Sequence, residues 1–252
     1  MSGRPSAAAW LGVMVLVVAM LAGAAAKADE VVADLSNHLI AISSSFTGTS
    51  VVLFGATDGP GDIVAVIRGP EREMTVWRKK KIVGIWANAE SVEFLNVPSF
   101  YAVAASRPIE EAVPPSAATL YKIGVGNLKF EPKAATSPER LTMFTEALVR
   151  QQQNAGLFPT RVESVSFLGE RLFRANIAFP ANVPTGNYLV EVFLIRNRDV
   201  VGGQTTPLIV SKVGVDAAVF NFASSEAAAY GAIAVVMAVV AGWLASLPFR
   251  GI

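Results

Sequence analysis

The sequence predicts a mainly β protein: one or two immunoglobulin-like β-sandwich domains with a helical connecting segment, followed by a C-terminal transmembrane helix. Three observations predict it. Runs of β-branched and aromatic residues recur at intervals of about 8–12 residues with Gly, Pro, Asn and Asp between them, the rhythm of an all-β sandwich. The stretch "VPTGNYLVEVFLI" (183–195) leads into a long strand through Pro-x-Gly-x-Tyr, a pattern common where a tyrosine packs at a sandwich corner. Hydrophobic residues make up 52% of the chain and charged ones only 16%. That excess of apolar residues sits at the two ends.

Residues 1–28 have the layout of a secretory signal peptide. Arg4 precedes an apolar stretch from Ala7 to Ala25, and Ala26-Lys27-Ala28 fits the small-x-small rule for cleavage before Asp29. An uncleaved signal anchor is the alternative. Residues 29–106 are expected to form a first β-sandwich domain, from "SVVLFGA" (50–56), "DIVAVIRG" (62–69), "EMTVWRK" (73–79), "KIVGIWAN" (81–88), "SVEFLNV" (91–97) and "SFYAVAAS" (99–106). Residues 107–156 read as a linker with a helical segment. Its Pro- and Ala-rich start suggests a short helix; Ser137 as N-cap and Pro138 at the first helical position open a clearer one. Leu141, Phe144, Ala147 and Leu148 give that helix an apolar stripe, and Gly156 stops it.

Residues 157–212 are expected to form a second β domain. In "RLFRANIAF" (171–179), Phe173, Ala175, Ile177 and Phe179 share one face; in the next strand Tyr188, Val190, Val192 and Leu194 do the same. Asn197-Arg198-Asp199 then turns the chain back into Val200 and Val201. One larger sandwich with a helical insertion is the alternative to two domains. In the juxtamembrane segment 213–226, Val215, Val219 and Phe222 fall at i, i+4 and i+7, as in a short helix lying on a bilayer. The uncharged stretch 227–249 would be about 34 Å long as a helix, enough to cross a hydrocarbon core of about 30 Å. Ser224 or Ser225 can cap its start beside Glu226, and Tyr230 and Trp243 stand near its two ends as interfacial aromatics do. Arg250 in the tail 250–252 places that end in the cytoplasm and the bulk of the chain outside it.

Composition excludes several chemistries. With no cysteine, disulfides, Fe–S clusters, thiolate zinc sites and cysteine nucleophiles are ruled out. His38 is the only histidine, which argues against a histidine metal site or a Ser–His–Asp triad. The net charge of +1 gives no basic footprint for nucleic acid. "FGATDGPGD" (54–62) lacks the Gly-Lys-Ser/Thr of a phosphate-cradling loop, and Glu71/Glu73 and Glu110-Glu111 show no cleft between paired carboxylates. No cofactor and no catalytic residue are expected.

Two features remain as candidate contacts. "WRKKK" places Arg78, Lys79, Lys80 and Lys81 where a hairpin turn is expected. A solvated turn that discourages edge-to-edge aggregation is one reading; contact with a lipid headgroup or another anion is the other. In the terminal apolar stretch, Ala227, Gly231, Ala234, Ala238, Ala241 and Ala245 recur in steps of four and three. That spacing keeps one helix face small and open to self-association or to a membrane-protein partner.

The signal-like N-terminus, "SNHLIAISSSFTGTSVVLFGATD" (36–58), "VPTGNYLVEVFLI" and the single C-terminal span together resemble an alphaproteobacterial family of predicted transmembrane proteins of unknown function. The resemblance covers essentially the whole chain and carries no catalytic motif. It implies a Gram-negative host, hence a periplasmic body on the inner membrane. It also implies genomic neighbours that export small sulfur-containing anions, and so a role accessory to a transporter. The expected function is a periplasmic binding or scaffolding region on a single-pass inner-membrane anchor. The alternatives are a tethered periplasmic hydrolase, or an anion-binding subunit using the basic turn 78–81.

Overall fold

The computed structural model describes residues 31–82, 84–214 and 222–246. The expectations for the signal peptide, for Val215 and Val219, and for residues 247–252 lie outside the described residues. The chain is mainly β, as its sequence predicts. Twelve strands run β1 (Val31–Leu35), β2 (Leu39–Ile42), β3 (Gly48–Thr57), β4 (Asp62–Arg68), β5 (Glu71–Ile82), β6 (Ile85–Pro98), β7 (Tyr101–Ala105), β8 (Glu131–Pro132), β9 (Glu163–Leu168), β10 (Leu172–Pro180), β11 (Gly186–Arg196) and β12 (Asp199–Lys212). The helices are α1 (Ile109–Ala112), α2 (Pro115–Leu120), α3 (Pro138–Asn154) and α4 (Ala227–Ser246).

Nine strands form one sheet in the order β1-β3-β10-β9-β7-β4-β11-β12-β2, and β5-β6-β8 form a second, three-stranded sheet. The regions 29–106 and 157–212, expected as separate domains, therefore interleave. β3 pairs with β10 and β4 with β11, both antiparallel, while β7 and β9 join in a short parallel pair. The division into two β domains corrects to a single body with a helical insertion. The reason is visible in β4, whose residues alternate between two cores. Ile63, Ala65 and Ile67 pack with β1, β3, β10 and β11. Val64 and Val66 pack on the other side with the hairpin β5–β6 and with α1 to α3. A strand buried on both faces reads as a continuous apolar run, with no polar face to mark a domain surface.

The nine-stranded sheet curls until its first strand meets its next-to-last. Across that junction the Gln204 side chain stands in for a strand: the Ala33 N–H donates to Gln204 Oε1 at 2.8 Å, and Gln204 Nε2 donates to the Ala33 carbonyl at 2.9 Å. Within the sheet, β3 is tightly enclosed at Gly55, where a Cβ would lie 2.3 Å from the Val32 carbonyl oxygen and 2.5 Å from the Phe173 ring. Tyr188 enters β11 as the sequence suggests, fully buried between Phe100 and Phe179. Its hydroxyl donates to the Pro184 carbonyl at 2.6 Å, and burial pushes its pKa up to about 12.

The connecting segment is helical as expected. α3 starts at Pro138 after Ser137, although the Ser137 side chain makes no capping hydrogen bond and only its carbonyl accepts, from the Leu141 N–H at 2.8 Å. Gly156 ends the helix at φ 71°, with the Gly156 N–H bonded to Gln153 O and the Leu157 N–H to Gln152 O. This is a Schellman closure, which needs the left-handed residue glycine supplies. Phe144 and Leu148 carry the buried stripe.

The hairpin differs from expectation. The basic stretch is not a turn: Arg78 to Lys81 lie inside β5, and the chain reverses past Ile82, where Gly84 takes φ 86°. "KIVGIWAN", expected as one strand, is split by the turn: Lys81 and Ile82 end β5, while Ile85 to Asn88 run on into "SVEFLNV" as β6. Lysine is tolerated there because a two-stranded arm exposes its faces to solvent, and Glu90 on β6 lies opposite Arg78 to balance the charge.

Candidate functional site

Three places in the described chain could bind something: the outer half of the β5–β6 hairpin, two clefts beside the sheet, and helix α4. In the hairpin, period-two alternation divides the four cations between faces. Arg78 and Lys80 point to the side that carries Glu90, and both pair with its Oε1, at 2.5 and 2.9 Å. The Lys80 hydrogen bond, with Arg78 beside it, holds the Glu90 carboxyl below its ordinary value. Arg78 also reaches Met143 Sδ on α3 at 3.7 Å. Lys79 and Lys81 are exposed on the opposite face, and neither has an ion-pair partner among the described residues. The extra residue in β6 at Ala89 leaves the β5 alternation intact, so Trp77, Lys79 and Lys81 share a face with Ser91, Asn88 and Trp86 across the ladder.

The larger cleft, about 550 Å³, lies among Tyr101, Val113, Asn127, Gln153 and Arg161. Tyr101 is the base of this wall. Its hydroxyl donates to Lys122 O at 2.8 Å and accepts from the Gly124 N–H at 2.7 Å. Burial pushes the phenol well above its ordinary value, away from a base at neutral pH. The smaller cleft, about 210 Å³, brings Arg68, Lys122 and Lys129 together with Glu71, Asn96 and Asn187. Arg68 is held from behind by Glu191 and the Tyr121 carbonyl. Two of its lining residues, Asn96 and Lys122, have left-handed backbones at φ 53° and 54°. Sequence reading missed this cluster, because Arg68 ends β4 while Lys122 and Lys129 lie far along the chain between α2 and β8, and only the fold gathers them.

The buried polar residues Thr57, Ser99, Gln152 and Thr206 line neither cleft. His38 Nε2 sits 2.8 Å from Asp34 Oδ1 on the surface, away from both. Among the described residues no cluster of His, Asp or Glu could hold a metal ion.

Helix α4 is 20 residues without a charge, and it is exposed along the whole stretch from Ala227 to Trp243. Taken over described side chains alone, which end at Trp243, no helix is long and apolar enough to cross a membrane; the helical backbone itself continues to Ser246. The expected small face, Ala227, Gly231, Ala234, Ala238, Ala241 and Ala245, lies entirely on this helix. A Cβ at Gly231 would meet nothing within 4 Å. The serines expected as caps, Ser224 and Ser225, instead lie in a preceding helical turn over 222–225. The Glu226 N–H bonds Phe222 O and the Tyr230 N–H bonds Glu226 O, so helical hydrogen bonding runs across the junction.

A family model described as "Putative transmembrane protein (Alph_Pro_TM)" matches residues 30–251. A search of curated proteins found no match.

Proposed function

The chain belongs to the Alph_Pro_TM family, and from that premise we propose that it is a single-pass inner-membrane protein. Its β body lies in the periplasm and serves as a binding or scaffolding module for a membrane partner, such as a transporter to which it is accessory. The observation that carries this reading is α4. At about 1.5 Å per residue its 20 residues reach about 30 Å, the thickness of a hydrocarbon core. An uncharged helix exposed along its described side chains leaves its apolar surface in water unless lipid or another helix covers it. The body is of immunoglobulin-like type in this reading, supported by the corner bond from Tyr188 to Pro184. The small-residue face gives the partner a surface on which helices approach closely.

A second reading, a small-anion site, draws on the cleft of Arg68, Lys122 and Lys129, whose three cations face one carboxylate lining residue, Glu71. Guanidinium and ammonium groups so gathered suit a carboxylate or oxyanion.

Topology reporters test the main reading. Alkaline phosphatase fused after Lys212 is expected to be active, and fused after Ile252 inactive, with a cytoplasmic fluorescent reporter giving the opposite pattern. Leu at both Gly231 and Ala238 is then expected to abolish co-purification of a membrane partner, or self-association, while membrane insertion persists. An inactive phosphatase at Lys212 overturns the periplasmic placement; unchanged association in the double variant reduces α4 to an anchor.

A further inference from the structure

We propose that the tip of the β5–β6 hairpin is a second membrane contact, an arm that sets Trp77, Trp86 and Ile85 into the interfacial zone of an anionic leaflet while Lys79 and Lys81 meet headgroup phosphates. The contact rests on the membrane anchoring proposed above and adds to it a site of a different kind.

Three observations converge on the tip. The first is apolar exposure: Trp77 is 55%, Trp86 68% and Ile85 72% exposed. Large aromatic rings so placed are what interfacial belts use, because indole has an apolar body and a polar N–H. The second is charge. Glu90 pairs with both Arg78 and Lys80 on one face and offsets one of their two charges, whereas Lys79 and Lys81, on the face that carries both tryptophans, have no ion-pair partner among the described residues. Opposite Trp77, Lys79 and Lys81 stand Ser91, Asn88 and Trp86, with no carboxylate among them. Trp86 and Lys81 are direct cross-strand partners, so the apolar ring and the cation reach the same surface together. The third is incomplete support. β8 pairs with β6 only at Phe94 and Leu95, so the hairpin beyond them has two strands. A two-stranded arm with an apolar tip is marginal in water and gains from a surface that covers it.

The base of the arm lies where an anchored chain needs it. Arg72 on β5 donates to the Thr185 carbonyl at 2.9 Å, and the neighbouring Gly186 pairs with Val210, close to the end of β12 at Lys212. The hairpin therefore springs from the end of the sheet at which the chain departs toward α4.

The test uses the full-length protein in nanodiscs of phosphatidylcholine, alone or mixed with phosphatidylglycerol. Because the chain has no cysteine, Ile85→Cys and Met237→Cys each take a single spin label. The label at 237 reports the anchor and the label at 85 the arm. In the anionic nanodiscs both are expected to be accessible to oxygen and shielded from an aqueous nickel chelate. In Lys79→Gln/Lys81→Gln the docked-to-undocked ratio at 85 is expected to fall about 30-fold, from about fivefold per lysine at an anionic surface, with 237 unchanged and the melting temperature retained. A label at 85 open to nickel while 237 is in lipid overturns the arm and leaves the anchor standing. So does an arm in lipid that ignores the loss of both lysines. A label at 237 open to nickel overturns the anchor, and the arm with it.

Discussion

Single residues carry strain as well as burial in this fold, and the turn between β11 and β12 shows it. Arg196 pairs with Asp199, and the two residues between, Asn197 and Arg198, take φ 51° and 65°. A two-residue hairpin with both φ values positive is a type I′ turn, whose preferred sequence is Asn-Gly. Asn197 fits; Arg198 holds a left-handed backbone that costs a non-glycine residue about 1–2 kcal/mol. Arg198→Gly is therefore expected to stabilise the protein by about 0.5–1 kcal/mol after the added freedom of the unfolded chain is counted. Thermal or urea unfolding of the two proteins measures it, and a lower melting temperature would show that Arg198 makes a compensating contact. The turn was legible in the sequence because Asn-Arg-Asp follows an apolar run. The role of Glu90 was not, because its partners lie across the β5–β6 ladder, 12 and 10 residues earlier, and their alignment depends on where the hairpin turns.

The elements divide by whether their signals are local. α3 announces itself: Ser137, Pro138, an apolar stripe and Gly156 all lie within one segment, and all but Ser137, whose side chain makes no cap hydrogen bond, do what their residue types favour. β5 and β6 mislead because a run of lysines looks like a turn when faces are ignored. Read at period two, Trp77, Lys79 and Lys81 alternate with Arg78 and Lys80, and Gly84 is the better candidate for the reversal. The bridge between β1 and β12 could not be read at all, since Gln204 and Ala33 are far apart in sequence and their pairing needs the sheet to curl. That bridge can be weighed. Gln204→Ala leaves the N–H and carbonyl of Ala33, itself 2% exposed, without their amide partner. Only a 3.4 Å contact from Thr206 Oγ1 to the carbonyl remains. Denaturant unfolding is expected to show a loss of about 2 kcal/mol, with Gln204→Glu, which keeps the acceptor, losing less than Gln204→Ala. Equal stability of all three would mean that the curl is held by side-chain packing alone.

At the scale of the molecule, the sheet order decides what can fold alone. Composition and rhythm reveal a β protein, but they cannot say that β3 waits for β10 or β4 for β11, because pairing partners follow from topology rather than from local pattern. Residues 31–106 expressed by themselves leave the edges of β3 and β4 open and one face of the first core uncovered. They are expected to show no cooperative melting transition and to be cut rapidly by protease, whereas residues 31–212 melt in one step. A cooperative transition from the shorter piece would restore the two-domain division. The interleaving also imposes a timetable on synthesis. At about 5–20 residues per second, roughly 10–30 s separate the completion of β3 from that of β12. β1 can pair with β3, and β4 with β7, as soon as they are made, but the other edge of β3 waits for β10 and that of β4 for β11, and no cysteine is present to hold them provisionally. The sheet closes only once β12 is complete at Lys212, shortly before α4, so open strand edges stay exposed to other chains until that last strand arrives.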